Sequence, residues 1–100
     1  MSYTTVSGAI LARVSAATPA RVLVIDDDRN VGPAFVRFLE HAGVEAARCG
    51  DASSAMTLAR DDTFDGFVVD VMLYDVPEGC RLIERLRADP KNADTVYVLN

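Results

Sequence analysis

No part of the chain approaches the roughly 18 uninterrupted apolar residues that a membrane span requires, so a soluble protein with no membrane contact is expected. Cysteine is scarce. Cys49 and Cys80 stand far apart with no C-x-x-C or metal-type spacing, whereas a disulfide-built domain of this size would carry more. A reducing cytoplasm is the expected location. Base is short as well: ten Lys and Arg face fifteen Asp and Glu, for a net charge of −5. Direct nucleic-acid contact is therefore not expected, because phosphate binding depends on clustered Lys and Arg. Neither G-x-G-x-x-G nor G-x-x-x-x-G-K-[ST] follows the first apolar run, which argues against a nucleotide-binding fold. Internal repeats and low-complexity segments are missing too.

What is present fits one small domain, since 100 residues cannot divide into two units that each bury a useful core. Residues 1–20 hold no acid and one base, Arg13, and form the expected N-terminal tail. Val6, Ile10 and Val14 fall at helical spacing within it, so a short amphipathic helix stays open as an alternative. The expected domain runs over 21–100.

From Arg21 the pattern is regular. Val22-Leu23-Val24-Ile25 is a continuous apolar run of the kind seen in strands covered on both faces. After Asp26-Asp27-Asp28, apolar residues at Val31, Ala34, Phe35, Phe38, Leu39 and Ala42 recur at three- and four-residue steps, which predicts a helix with one buried face. Gly32 and Pro33 suit its first turn and Gly43 its C-terminal cap. Val44 to Cys49 reads as a second strand, Asp51 as the cap of a second helix, and Phe67-Val68-Val69 as a third strand. Leu82, Ile83 and Leu86 mark a further helix ending near Asp89-Pro90, and Thr95 to Leu99 a fourth strand. Strands alternating with helices predict an α/β fold with a parallel sheet. Functional groups in such sheets gather beyond the carboxyl ends of the strands, where Asp26, Asp27 and Asp70 would converge.

Three carboxylates brought together repel one another unless a cation or shared protons offset the charge. Carboxylate oxygens and water suit Mg²⁺. Such an ion would neutralise charge on a transferred phosphoryl group while the Asp70 carboxylate attacks phosphorus, giving an aspartyl phosphate. Asp28 is expected to be a solvated loop or cap residue. His41 is expected at a solvated helix end, Cys49 and Cys80 as small packing residues, and Tyr97 as a packing or edge residue.

The segments Arg21-Val22-Leu23-Val24-Ile25-Asp26-Asp27-Asp28 and Phe64-Asp65-Gly66-Phe67-Val68-Val69-Asp70-Val71-Met72-Leu73 resemble the first and third strands of response-regulator receiver domains from two-component signal transduction. The resemblance implies a flavodoxin-like, doubly wound parallel sheet in the strand order two-one-three-four-five. It also implies that Asp26, Asp27, Asp70 and the backbone carbonyl of Met72 hold Mg²⁺, with Asp70 the phosphoacceptor. The implied partner is a histidine kinase or histidine phosphotransfer protein. The implied chemistry is self-phosphorylation and autodephosphorylation, not turnover of an external substrate.

Departures follow Asp70. Tyr74 stands where the family commonly has proline, and Pro77-Glu78-Gly79 places a glycine one step late. Asn100 occupies the position of the family's switch Thr or Ser, and an amide N–H can still donate to a phosphoryl oxygen. The family's Lys after a fifth strand has no counterpart, and Lys91 precedes strand four. The resemblance thus implies a fold lacking the fifth strand and last helices, with strand four an edge open to self-association. The departures favour a second function, a phosphorylation-independent protein-binding module. A haloacid-dehalogenase-like phosphatase fits less well, since Asp70-Val71-Met72 lacks the second acid of D-x-D and Asp26-Asp27-Asp28, though it places acids two apart, lacks that family's following Thr or Val.

Overall fold

The computed structural model describes residues 19–70 and 79–99. Its elements in chain order are β1 (Arg21–Ile25), α1 (Val31–His41), β2 (Glu45–Cys49), α2 (Ala52–Asp61), β3 (Gly66–Val69), α3 (Gly79–Arg87), a 3-10 turn (Pro90–Asn92) and β4 (Val96–Leu99). All strand pairs are parallel, in the order β2-β1-β3-β4. That is the order the resemblance implied for these four strands.

The apolar runs occupy the middle of the sheet because both faces there are covered. Residues 22–25 and 66–69 are buried throughout, whereas β2, an outer strand of the described sheet, is largely exposed. Strand alternation divides the side chains between two cores. On one face Val22, Val24, Val68 and Val98 meet Phe35 and Leu39 of α1. On the other, Leu23, Ile25, Phe67 and Val69 meet Ala55 and Ala59 of α2 and Leu82 and Leu86 of α3. Helices on both faces make the sheet doubly wound. Leu86 is fully buried, so its truncation to Ala would cost about 2–5 kcal/mol.

Local chemistry sets both ends of α1 and the start of α2. Asp28 Oδ1 accepts from the backbone N–H groups of Asn30 (2.7 Å) and Val31 (2.9 Å) at the entry to α1, the solvated capping role expected of it. Gly43 ends α1 with φ of 85°, and its N–H donates to the carbonyl of Glu40 at 3.0 Å. Asp51 caps α2 by accepting from the Ser54 N–H at 2.6 Å.

Three expectations change. The apolar stripe of α1 is wider than the arc that touches the sheet: Phe35 and Leu39 are buried, but Val31 is 38% and Phe38 48% exposed. Cys80 is exposed near the start of α3 and is no packing residue, whereas Cys49 is buried as expected. The segment after α3 contains the unanticipated 3-10 turn, capped by Asp89, whose Oδ1 accepts from the Lys91 N–H at 3.0 Å. Tyr97 packs as expected, stacked on Phe67 at 5.4 Å, and its hydroxyl donates to the carbonyl of Asn92 at 2.7 Å. His41 is exposed at the end of α1. Among the described residues no helix is long and apolar enough to cross a membrane.

Candidate functional site

The sheet register builds the acidic site. Ile25 pairs with Val69, so the next residues, Asp26 and Asp70, leave the sheet side by side. Two further hydrogen bonds extend the ladders past the strand ends: Asp26 N–H to the Cys49 carbonyl at 3.0 Å and Asp70 N–H to the Ile25 carbonyl at 2.9 Å. The backbones that carry both carboxylates are thereby held. Asp27 follows at once, and one carboxylate oxygen from each of Asp26, Asp27 and Asp70 lies within 4.8 Å of the others. Asp26 is buried, while Asp27 and Asp70 are partly open to solvent.

Electrostatics mark the site. Burial pushes the Asp26 carboxyl above the ordinary aspartate range, against the Asp28 N–H that donates to it, and the negative charges of Asp70, Asp28 and Asp27 push the same way. Asp28 moves in the opposite direction, because Val31 and Asn30 donate to its charged form. A donor set made only of carboxylates fits a hard, oxygen-seeking divalent cation such as Mg²⁺ and does not fit a soft metal.

The structure brings together Asp26, Asp27 and Asp70, the three carboxylates chosen from sequence. Met72, Tyr74 and Asn100 lie outside the described residues, and Gly79 is the buried first residue of α3. Lys91 sits elsewhere, its Nζ donating to the carbonyls of Asp62 (2.7 Å) and Arg60 (3.2 Å). One neighbour escaped sequence reasoning. Arg48, on the exposed strand β2, reaches across the strand ends and donates from Nη2 to the carbonyl of Asp26 at 2.9 Å. A lone arginine 22 residues from its acceptor carries no local signal.

A doubly wound parallel sheet with carboxylates converging at its carboxyl ends defines an α/β domain with a strand-end acidic site. The sequence model of the response regulator receiver domain matches residues 22–99, and the chain belongs to that family. It is 38% identical over 65 residues to the response regulator MprA of Mycolicibacterium vanbaalenii, covering 63% of this chain and 28% of that protein. It is 35% identical over 71 residues to the transcriptional regulatory protein PrrA of Mycobacterium tuberculosis, covering 71% of this chain and 30% of that protein. The chain thus spans less than a third of the length of these relatives.

Solved structures agree on the fold. The chemotaxis response regulator CheY4 of Vibrio cholerae superposes with a TM-score of 0.77 at 24% identity, over 82% of this chain and 68% of that one. A response regulator from Burkholderia pseudomallei, solved with a phosphorylated aspartic acid, calcium ion and citrate, superposes at 0.71 with 26% identity, over 80% of this chain and 45% of that one. The architecture is the flavodoxin-like one.

Proposed function

We propose that residues 21–100 act as a phosphoacceptor domain in the cytoplasm, taking a phosphoryl group on Asp70 from a histidine kinase or histidine phosphotransfer protein. The observation that carries this reading is the convergence of Asp26, Asp27 and Asp70 at the strand ends, with one oxygen of each within 4.8 Å of the others. The phosphorylated aspartic acid and calcium ion in the Burkholderia pseudomallei relative support it.

In this reading a carboxylate oxygen of Asp70 attacks phosphorus, the bond from phosphorus to the donor breaks, and the donor leaves with the electron pair. Asp26, Asp27 and Asp70, with the Met72 carbonyl implied by family resemblance, would hold Mg²⁺. The ion would supply charge neutralisation for the phosphoryl oxygens when bound. Asn100 would donate to the phosphoryl group from the switch position. The buried Asp26 fixes one edge of the site through its backbone, and Asp27 and Asp70 face solvent where a donor can approach.

The test is labelling of the 100-residue chain by an acyl phosphate in the presence of Mg²⁺, followed by intact mass. One added phosphoryl group is expected, and none in Asp70→Asn. Equal labelling of that variant would remove Asp70 from the role. Failure of the parent to label, with no response to Mg²⁺, would favour the phosphorylation-independent binding module, which the departures at Tyr74 and Asn100 support.

A further inference from the structure

We propose that Arg48 is a positioning residue for the acidic site, its guanidinium bracing the turn after β1 so that Asp26 and Asp27 converge with Asp70. The site's role as a Mg²⁺ centre is the reading on which the functional consequence rests. Arg48 lies on an outer strand and is exposed, so packing does not fix its long side chain. It nevertheless lies over the carboxyl end of the sheet. Nη2 donates to the Asp26 carbonyl at 2.9 Å and, more weakly, to the Asp28 carbonyl at 3.4 Å, the two carbonyls that bracket Asp27.

The first contact completes a backbone ladder. Ile25 pairs with Cys49 at the end of β1–β2, and the Asp26 N–H still reaches the Cys49 carbonyl. The next acceptor in line is the carbonyl of Asp26, in a buried residue, and a carbonyl past the last ladder bond needs a donor from elsewhere. Arg48 supplies it. The Asp28 carbonyl also receives the Gly32 N–H at 3.3 Å, so the arginine ties the strand end to the first turn of α1.

Gly32 accommodates the same side-chain placement. Its backbone is not in the positive-φ region, which among the described glycines only Gly43 occupies. Alanine would suit a helical position better. Yet a Cβ at Gly32 would stand 2.5 Å from Arg48 Nε and 3.0 Å from its Cδ. The glycine opens the slot through which the guanidinium reaches the two carbonyls.

A brace and a simple counter-charge predict opposite signs. If Arg48 acted only by its charge, removing it would tighten cation binding and Arg48→Lys would leave binding unchanged. As a brace, Arg48→Lys keeps the charge but loses the reach of the planar fork. Gly32→Ala keeps the charge and displaces the side chain.

Isothermal titration of the 100-residue chain with Mg²⁺ decides between them. Arg48→Lys and Gly32→Ala are each expected to weaken binding roughly tenfold, as for loss of a group that orients a metal ligand. Gly32→Ala should do so while the metal-free protein still unfolds in one cooperative transition. Parent-like affinity in Arg48→Lys, or tighter binding in Arg48→Met, would overturn the proposal. Amide hydrogen exchange without metal gives a readout that does not depend on the ion. Faster exchange at Asp28, Asn30 and Val31 is expected in both Arg48→Lys and Gly32→Ala, and unchanged exchange would refute the brace. A parent chain that bound no Mg²⁺ would sink the metal-site reading, and exchange alone would then decide the fate of Arg48.

Discussion

Asp26 and Asp62, at opposite ends of this sheet, are held in opposite electrostatic states. At the amino ends of the strands, the Arg21 guanidinium donates to Asp62 Oδ2 at 2.7 Å, its backbone N–H donates to Asp65 Oδ2 at 2.8 Å, and the guanidinium sits over the Phe64 ring at 5.3 Å. Glu45 lies 3.5 Å from the same arginine, and Lys91 covers the carbonyls at the end of α2. There the Arg21 hydrogen bond holds the Asp62 carboxyl down to about 2. At the carboxyl ends, burial and the charges of neighbouring acids push Asp26 up. One end uses acids to fasten strands together. The other gathers them against their mutual repulsion, which stability alone does not reward.

The largest effect that would break this contrast is at the carboxyl end. Asp27→Ala is expected to lower Mg²⁺ affinity by about a hundredfold, at or beyond the upper range for loss of a group supporting a metal. Asp28→Ala should change it little, because Asp28 is occupied with the α1 entry. Equal losses in a Mg²⁺ titration would erase the distinction between a ligand and a cap.

Next in size is Asp26→Asn, which removes a buried charge and retains an oxygen to accept from the Asp28 N–H, now 2.8 Å away. The metal-free variant should be more stable than the parent at neutral pH by about 1 kcal/mol, in the range common for relieving a functional strain. Urea denaturation measures it. A less stable variant would mean that the repulsion is already offset.

The amino end should respond with the reverse sign. The Asp62 carboxyl is held below its ordinary 3.8, so its contribution to stability is present above that value and lost as pH falls toward about 2. Thermal midpoints across that acid range should fall less steeply in Asp62→Asn than in the parent. The pair is exposed to solvent and salt, so the difference should be modest and should shrink at high ionic strength. Parallel slopes would show that Arg21 and Asp62 contribute nothing.

The smallest effect concerns the thiols. Burial pushes the Cys49 thiol up to about 11, whereas Cys80 is exposed. Iodoacetamide should modify Cys80 in the folded protein and reach Cys49 only on unfolding. Equal rates at the two sites would contradict the placement of Cys49.

Much of the carboxyl end was legible because it is written in local patterns. The runs at 22–25 and 67–69 each stop at an aspartate, and a parallel sheet sends both stops to the same edge. Asp51 and Gly43 could be assigned because capping is a matter of immediate neighbours. The amino end was opaque by contrast. Arg21 finds Asp62 across 41 residues, and Lys91 reaches the end of α2 across 29. Nothing in either segment alone announces such a partner. The exposure of Phe38 and Cys80 depends on how much of a helix surface its neighbours cover, which periodicity does not specify. Arg48 belongs with these, since its acceptor is a backbone carbonyl, a group every residue has.

The register Ile25 to Val69 has a thermodynamic consequence of its own. Asp26 and Asp27 are neighbours in any conformation of the chain, but Asp70 joins them only when β1 and β3 have paired in that alignment. A slip of one residue would turn the side chains to the opposite faces and dismantle the trio. A cation that needs all three carboxylates therefore binds the folded chain and not the unfolded one. Its concentration enters the folding equilibrium directly, adding about 2.7 kcal/mol at a hundred times its dissociation constant. In such a chain the ionic composition of the medium and the integrity of the sheet are one variable.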